Sequence, residues 1–152
     1  MTQRKYSLED LSRLSYFTLE RALASIFWMD SEGKIVYAND TACQNYGYSK
    51  DEFLKMLIYD INRNYTQSSY KKMWERFPSE TQFTMESTHF TKSGDEIPVE
   101  IFLNYAEFEG QAFNISFVLD ISERKRKEKL LKSITQNTTA AIGEDYFKLL
   151  VE

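Results

Sequence analysis

Asp120-Ile121-Ser122-Glu123-Arg124-Lys125 joins two segments of opposite character with no loop between them. Before it, Gln111 to Asp120 alternates in side-chain direction yet is partly apolar on both faces. Phe113, Ile115, Phe117 and Leu119 lie on one face, and Ala112, Asn114, Ser116 and Val118 on the other. Such a strand needs cover on both sides. After it the chain is charged and reads as a helix to about Ser133, so the end of the strand is also the start of the helix.

Working outward, Thr81 to Thr91 and Ile97 to Phe108 also show a period of two and read as long strands. Ser93-Gly94-Asp95 and Glu109-Gly110 between them have the residues of hairpin turns. In the middle strand the odd positions Ile97, Val99, Ile101, Leu103 and Tyr105 are apolar and are expected to face the core.

Nearer the start, Ser25 to Asp30 and Lys34 to Asn39 are short β-rich runs joined by Ser31-Glu32-Gly33. Asn39 or Asp40 caps a short helix ending near Gly47, and Ser49-Lys50-Asp51-Glu52 is a capping box opening another. A third helix is expected over Gln67 to Phe77, stopped before Pro78. Ser7-Leu8-Glu9-Asp10 caps an amphipathic helix from about residue 8 to 24, with Leu8, Leu11, Leu14, Phe17, Ala22 and Leu23 near helical spacing. The order ββααα-βββ predicts an α+β fold on a five-stranded antiparallel sheet.

The chain has 152 residues, 42% hydrophobic and 28% charged, which suits one domain of about 100 to 130 residues with helical extensions. Ten Tyr and eleven Phe against two Pro and five Gly argue for packed elements rather than disorder. A net charge of −4 gives no global attraction to nucleic acid. The single Cys43 leaves no internal disulfide framework or thiolate zinc site, and suits a reducing cytoplasm. No apolar run approaches the ~20 residues of a membrane span, so no membrane contact is expected from this chain.

Several stretches in order resemble the PAS family of sensory domains over about residues 22 to 132. They are Asp30-Ser31-Glu32-Gly33-Lys34-Ile35-Val36-Tyr37-Ala38-Asn39, Tyr46-Gly47-Tyr48-Ser49, Lys92-Ser93-Gly94-Asp95, Asn104-Tyr105, and the strand-to-helix junction itself. The resemblance implies a PAS fold: short helices on one face of the five-stranded sheet, an N-terminal flanking helix and a C-terminal signalling helix. It divides the chain into a flanking helix at 1–24, a PAS domain at 25–120 and a signalling helix at 121–136. Residues 137–152 resemble the opening of a GAF domain, cut short after one helix. The coiled-coil seam of the signalling helix is weak, because Leu131 and Ile134 continue upstream onto Arg124 and Lys127.

Aligned on related flavin-binding PAS domains, the concave face is expected to carry Phe27, Met29, Met85, Ser87, His89, Val99, Ile101, Leu103, Asn114, Ser116 and Val118. Tyr46 and Trp74 complete the candidate pocket. Trp28, Phe113, Ile115, Phe117 and Leu119 fall on the outer face, to be covered by the first helix or by a partner subunit. The same alignment disfavours two cofactors and leaves any other unknown. Flavin readers have Asn, Gln and Cys where this chain has Val99, Val118 and Ile58. Haem-binding relatives take a His from the long helix, which here offers Tyr70, Met73 and Trp74.

His89, Asn114 and Ser116 have two readings. They make polar contacts to a small ligand on an apolar wall, or they hydrogen-bond one another, the backbone or a buried water. Cys43 reads as a packed thiol. No catalytic or metal constellation is visible, so the fragment is read as non-catalytic.

The resemblance makes the chain a regulatory part of a bacterial signalling protein, with a homodimer expected. Asp120, with Arg124 as a possible ion-pair partner, is expected to relay the state of the pocket to a downstream histidine kinase or diguanylate cyclase. A dimerisation module without ligand is the alternative. The basic run Arg124 to Lys129 raises nucleic-acid binding as a remote one, although interleaved acids favour a solvated helix face.

Overall fold

The computed structural model describes residues 6–77 and 81–151, with side chains described up to Thr138. The chain divides into two compact units, one up to Asp120 and one from Ile121 onward.

The first unit opens with α1 (Leu8–Glu20). Ser7 and Asp10 form the expected capping box at its start. The helix stops short of residue 24 because its last carbonyls are taken by other side chains. Asn39 Nδ2 donates to the Leu19 and Ala24 carbonyls at 2.8 and 3.1 Å, and Thr41 Oγ1 donates to the Ala22 carbonyl at 2.6 Å. These bonds satisfy carbonyls that helix ends leave without intrahelical partners. They also turn the chain into β1 (Ser25–Met29).

β1 pairs antiparallel with β2 (Ile35–Ala38) across the predicted turn. Asp30 Oδ1 accepts from the N–H groups of Glu32 and Lys34 at 2.9 Å each. Gly33 sits at φ +83°, and a Cβ there would lie 2.9 Å from the Tyr59 ring. Glycine is therefore required twice over, by conformation and by space.

Four helices follow, one more than the sequence pattern predicts: α2 (Asp40–Tyr46), α3 (Lys50–Phe53), α4 (Ile58–Ile61) and α5 (Gln67–Trp74). The extra element is α4. A bridge from Lys34 to Leu57, and an Ile58 N–H donated to the Gly33 carbonyl at 2.8 Å, break the apolar stretch after α3. α5 ends three residues early, and Pro78 lies outside the described residues.

β3 (Gln82–Phe90), β4 (Glu96–Phe108) and β5 (Gln111–Asp120) form the predicted meander. The sheet order is β2-β1-β5-β4-β3, antiparallel throughout. The fold is α+β, as expected. The β4–β5 connection is a two-residue turn with Glu109 at φ 49° and Gly110 at φ 74°. Positive φ at both positions is the primed geometry that matches strand twist, and Glu109 adopts it at a cost that glycine avoids.

The core lies between the sheet and α2–α5. Phe27, Met29, Val99, Ile101, Leu103 and Val118 from the strands meet Ala42, Tyr46, Phe53, Ile58, Ile61, Tyr70 and Met73 from the helices. Edge-to-face contacts of Phe27 with Tyr46 and Phe53, at 5.5 and 5.3 Å, lock the middle. Such pairs each add about 0.5–1.5 kcal/mol beyond area burial. Cys43 is half-buried against this core, and burial pushes its thiol pKa up.

The outer face of the sheet carries Trp28, Phe113, Ile115, Phe117 and Leu119, as expected. Cover by α1 does not occur: Leu11, Leu14 and Phe17 are 46%, 56% and 52% exposed. α1 is held at its end instead, by Glu20. That buried carboxylate accepts from Tyr37 Oη, the Asp40 N–H and Lys50 Nζ, and Lys50 also reaches Asp40 at 3.0 Å. Burial alone would raise the Glu20 pKa, but the Lys50 ammonium and the other donors hold it below the usual carboxylate range.

The second unit is α6 (Ser122–Val151), one continuous helix through the boundary expected near residue 136. The side chains of the GAF-like segment from 139 onward lie outside the described ones. Glu123 and Lys127 pair at 2.7 Å, and Arg124 reaches Glu128 at 3.9 Å, both one turn apart. Leu130, Leu131 and Ile134 are exposed. Among the described residues, no helix is long and apolar enough to cross a membrane.

Candidate functional site

Register places the polar residues of the concave face side by side. Asn114 pairs with Met29 on β1 and Tyr105 on β4, while Ser116 pairs with Phe27 and Leu103. Because strand side chains alternate, Asn114, Ser116 and Val118 all point to the helix-covered side. His89, near the end of β3, is level with Ile97 and is 1% exposed.

A cavity of about 20 Å³ lies among these side chains. Of the residues expected at the site, Met29, His89, Ile101, Asn114, Ser116 and Val118 line it. Ile58, Asn62, Tyr65 and Tyr70 close it from the helices. This volume holds about one water-sized group.

The remaining expected residues lie elsewhere. Phe27 and Leu103 are packed core. Val99, with Tyr46, Ser25, Asn45 and Asp120, lines a second small space of about 60 Å³. Trp74 is half-buried in an aromatic group with Tyr70, Phe77 and Tyr105, so it forms no wall of the cavity. Met85 lies outside the cavity lining, and its Sδ accepts from Tyr65 Oη at 3.0 Å.

The polar groups are partly satisfied. Tyr46 Oη lies 2.7 Å from His89 Nδ1. Ser116 Oγ donates to Asn114 Oδ1 at 3.2 Å. Asn62 Oδ1 accepts from Ser87 Oγ at 3.0 Å, and Ser87 Oγ in turn accepts from Asn64 Nδ2 at 3.0 Å. Tyr70 Oη donates to the Asp30 carbonyl at 3.0 Å. Burial raises the Tyr70 pKa, and the Asn114 side chain, set beside the phenol but beyond normal hydrogen-bond length, draws it down. His89 Nε2 and Asn114 Nδ2 are buried without a hydrogen-bond partner among the described residues. Unpaired buried polar groups of this kind cost about 1–3 kcal/mol each.

Burial also holds the His89 imidazole neutral, with its pKa pulled down to about 4. The Tyr46 phenol is pushed up, first by burial and then by the charge of Asp120.

Asn62 and Tyr65 were not legible as site residues. Both lie in a helix-and-turn segment whose position depends on the Lys34–Leu57 bridge, a contact between residues far apart in sequence. Tyr70 and Ile58 were legible only through the cofactor comparison.

At the output end, β5 stops at Asp120 and α6 starts at Ser122, leaving Ile121 as the sole connecting residue. Asp120 is exposed and pairs with Val99 across the ladder.

Comparison with known proteins agrees with this fold. The family model described as PAS domain matches residues 23–123. No curated protein matches the chain. Among solved structures, the PAS domain of an HTR-like protein from Haloarcula marismortui is 22% identical. The match covers 75% of this chain and 94% of that one, with a TM-score of 0.71. A domain of a sensory box sensor histidine kinase/response regulator from Geobacter sulfurreducens is 26% identical, covering 72% and 96%, with a TM-score of 0.61. The PAS domain of nitrogen regulation protein NR(II) from Vibrio parahaemolyticus is 13% identical, covering 71% and 98%, at 0.56. With a family match across about two thirds of its length and the sheet order and helical cover described above, the chain belongs to the PAS domain family of sensory modules.

Proposed function

We propose that this PAS domain senses a small molecule on its concave face and passes the result along β5 and through α6 to an output domain in the same protein. One observation carries this reading: two buried polar atoms, His89 Nε2 and Asn114 Nδ2, belong to side chains that line a cavity and make no hydrogen bond of normal length among the described residues. A folded core ordinarily satisfies such groups, and a small molecule entering the site would supply the acceptor they lack. The one-residue connection supplies the relay, since displacement of the end of β5 must displace the first turn of α6. Asp120 and Arg124 flank that connection and are the relay residues of this account.

The output is a histidine kinase or a diguanylate cyclase in a bacterial signalling protein. The protein acts as a homodimer. Support comes from the half-covered apolar outer face and the exposed stripe of α1. A patch of this kind on a soluble domain usually marks an interface.

Native mass spectrometry of the purified protein, compared with its denatured mass, tests the reading. A bound small molecule that Asn114→Leu fails to retain is the expected result. The bare protein mass from every preparation, wild type and variant alike, would overturn ligand sensing. A second reading then gains ground, a ligand-free dimerisation and relay module. It is favoured by the cavity's volume of only about 20 Å³.

A further inference from the structure

Both unpartnered groups on the cavity wall are donors. Tyr46 Oη has the His89 Nδ1 atom as its hydrogen-bond partner, at 2.7 Å. A phenol hydrogen is satisfied there only if the hydroxyl donates, which leaves Nδ1 as acceptor and places the imidazole hydrogen on Nε2. Asn114 is oriented by Ser116 Oγ, which donates to its Oδ1 and leaves Nδ2 to face the cavity. The two side chains are 1% and 0% exposed. An oxygen with two lone pairs can accept from both donors at once.

The walls restrict the rest of the molecule. No Lys, Arg, Asp or Glu lines the cavity, and its apolar side is Met29, Ile58, Ile101 and Val118. Burial keeps His89 neutral, with its pKa pulled down to about 4. An anion would therefore be buried without a countercharge, which is strongly unfavourable. Tyr65 closes the cavity from the loop after α4, and its hydroxyl is held by the thioether of Met85 at 3.0 Å. A thioether is a weak acceptor, so the edge contact of this ring with Tyr70 at 6.3 Å is the main interaction that its displacement gives up.

We infer that the concave cavity is a binding site for a small neutral carbonyl compound, a ketone, amide or lactam, whose oxygen accepts from His89 Nε2 and Asn114 Nδ2 while Tyr65 swings aside to admit the remainder. This rests on the sensing function proposed above and names its ligand class. An oxygen atom fits the existing volume of about 20 Å³, and displacement of the Tyr65 ring makes room for the carbon skeleton.

His89 is the only histidine in the chain, so its imidazole nitrogens give an unambiguous ¹⁵N spectrum. N-methylacetamide is the probe, with acetate and methylamine as controls of similar size. The expected result is an Nε2–H tautomer before addition, then a saturable shift of the Nε2–H resonance with the amide. Acetate and methylamine should bind at least tenfold more weakly. Asn114→Leu should weaken the amide at least tenfold while keeping the tautomer, which separates loss of a donor from loss of the fold. Tyr65→Ala should strengthen amide binding.

An Nδ1–H tautomer, a shift that does not saturate, or equal response to acetate would each overturn the assignment. The relay is read separately, from the α6 amide resonances in the same titration. Amide binding with α6 unchanged refutes the relay and leaves the carbonyl site standing. Amide-induced change in α6 without a saturable imidazole shift refutes the site.

Discussion

Lowering the pH from 7 to 5 should destabilise this domain through one residue, His89. Its imidazole is buried at 1% exposure and pulled from 6.5 down to about 4 by burial. In the unfolded chain the group returns to its ordinary value, so between pH 6.5 and 4 the unfolded state binds a proton that the folded state refuses. Stability attributable to this group is therefore intact above pH 6.5 and falls as the pH drops toward 4. At pH 5 the proton favours the unfolded state about 30-fold, which is roughly 2 kcal/mol, against almost nothing at pH 7. For a domain holding about 5–15 kcal/mol in total, this is a large share.

Glu20, Glu52 and Asp10 have carboxyl pKa values held below their usual range, so their contributions are lost only as the pH falls through lower values. They add little between pH 7 and 5. Urea titrations at the two pH values, read by the fluorescence of Trp28 and Trp74, measure the difference, and His89→Gln supplies the control. The variant should be less stable at pH 7, having lost the Tyr46 bond, but should show almost none of the pH dependence. Equal losses in wild type and variant would refute the assignment of the effect to His89.

Further expectations follow from the same contacts. Glu20→Gln removes the charge that Lys50 pairs with while keeping the shape, and should cost about 1–3 kcal/mol and speed amide exchange in α1 more than in the sheet. Glu109→Asn replaces a residue at φ 49° with one that tolerates the left-handed region. It should stabilise the domain by about 0.5–1 kcal/mol in urea titration. Gly33→Ala places a methyl 2.9 Å from the Tyr59 ring at φ +83° and should destabilise by more than about 1 kcal/mol. Retention of full stability would show that the β1–β2 turn is looser than described.

Much of the architecture was legible because it rests on local signals. The period-two strands, the Glu109-Gly110 turn, the Ser7 and Ser49 capping boxes and the strand-to-helix junction are each written within a few consecutive residues. Face assignment held as well: Val99, Ile101, Leu103, Asn114, Ser116 and Val118 are all buried on the helix side. The gaps arise where distant contacts override local pattern. α4 exists because Leu57 and Ile58 bond across to Lys34 and Gly33. α1 ends early where Asn39 takes the Leu19 carbonyl and Thr41 holds that of Ala22 in the turn after it. The candidate site was half legible for the same reason. Its strand residues follow from alternation, while Asn62 and Tyr65 reach it only through the placement of α4 and the loop after it. Trp74, grouped with the pocket on the resemblance, belongs to a separate aromatic cluster.

The central claim is that the state of the concave face is passed along β5 into α6. Amide hydrogen exchange over residues 111–130 tests it most directly, measured on the wild type, Asn114→Leu, Asp120→Ala and the double variant. The account predicts that Asn114→Leu, which alters the cavity alone, changes exchange in the first two turns of α6 as well as in β5. It also predicts that Asp120→Ala abolishes the effect on the helix while leaving the effect on the strand. A change confined to β5 and its neighbours, with residues 122–130 exchanging as in the wild type, would contradict it.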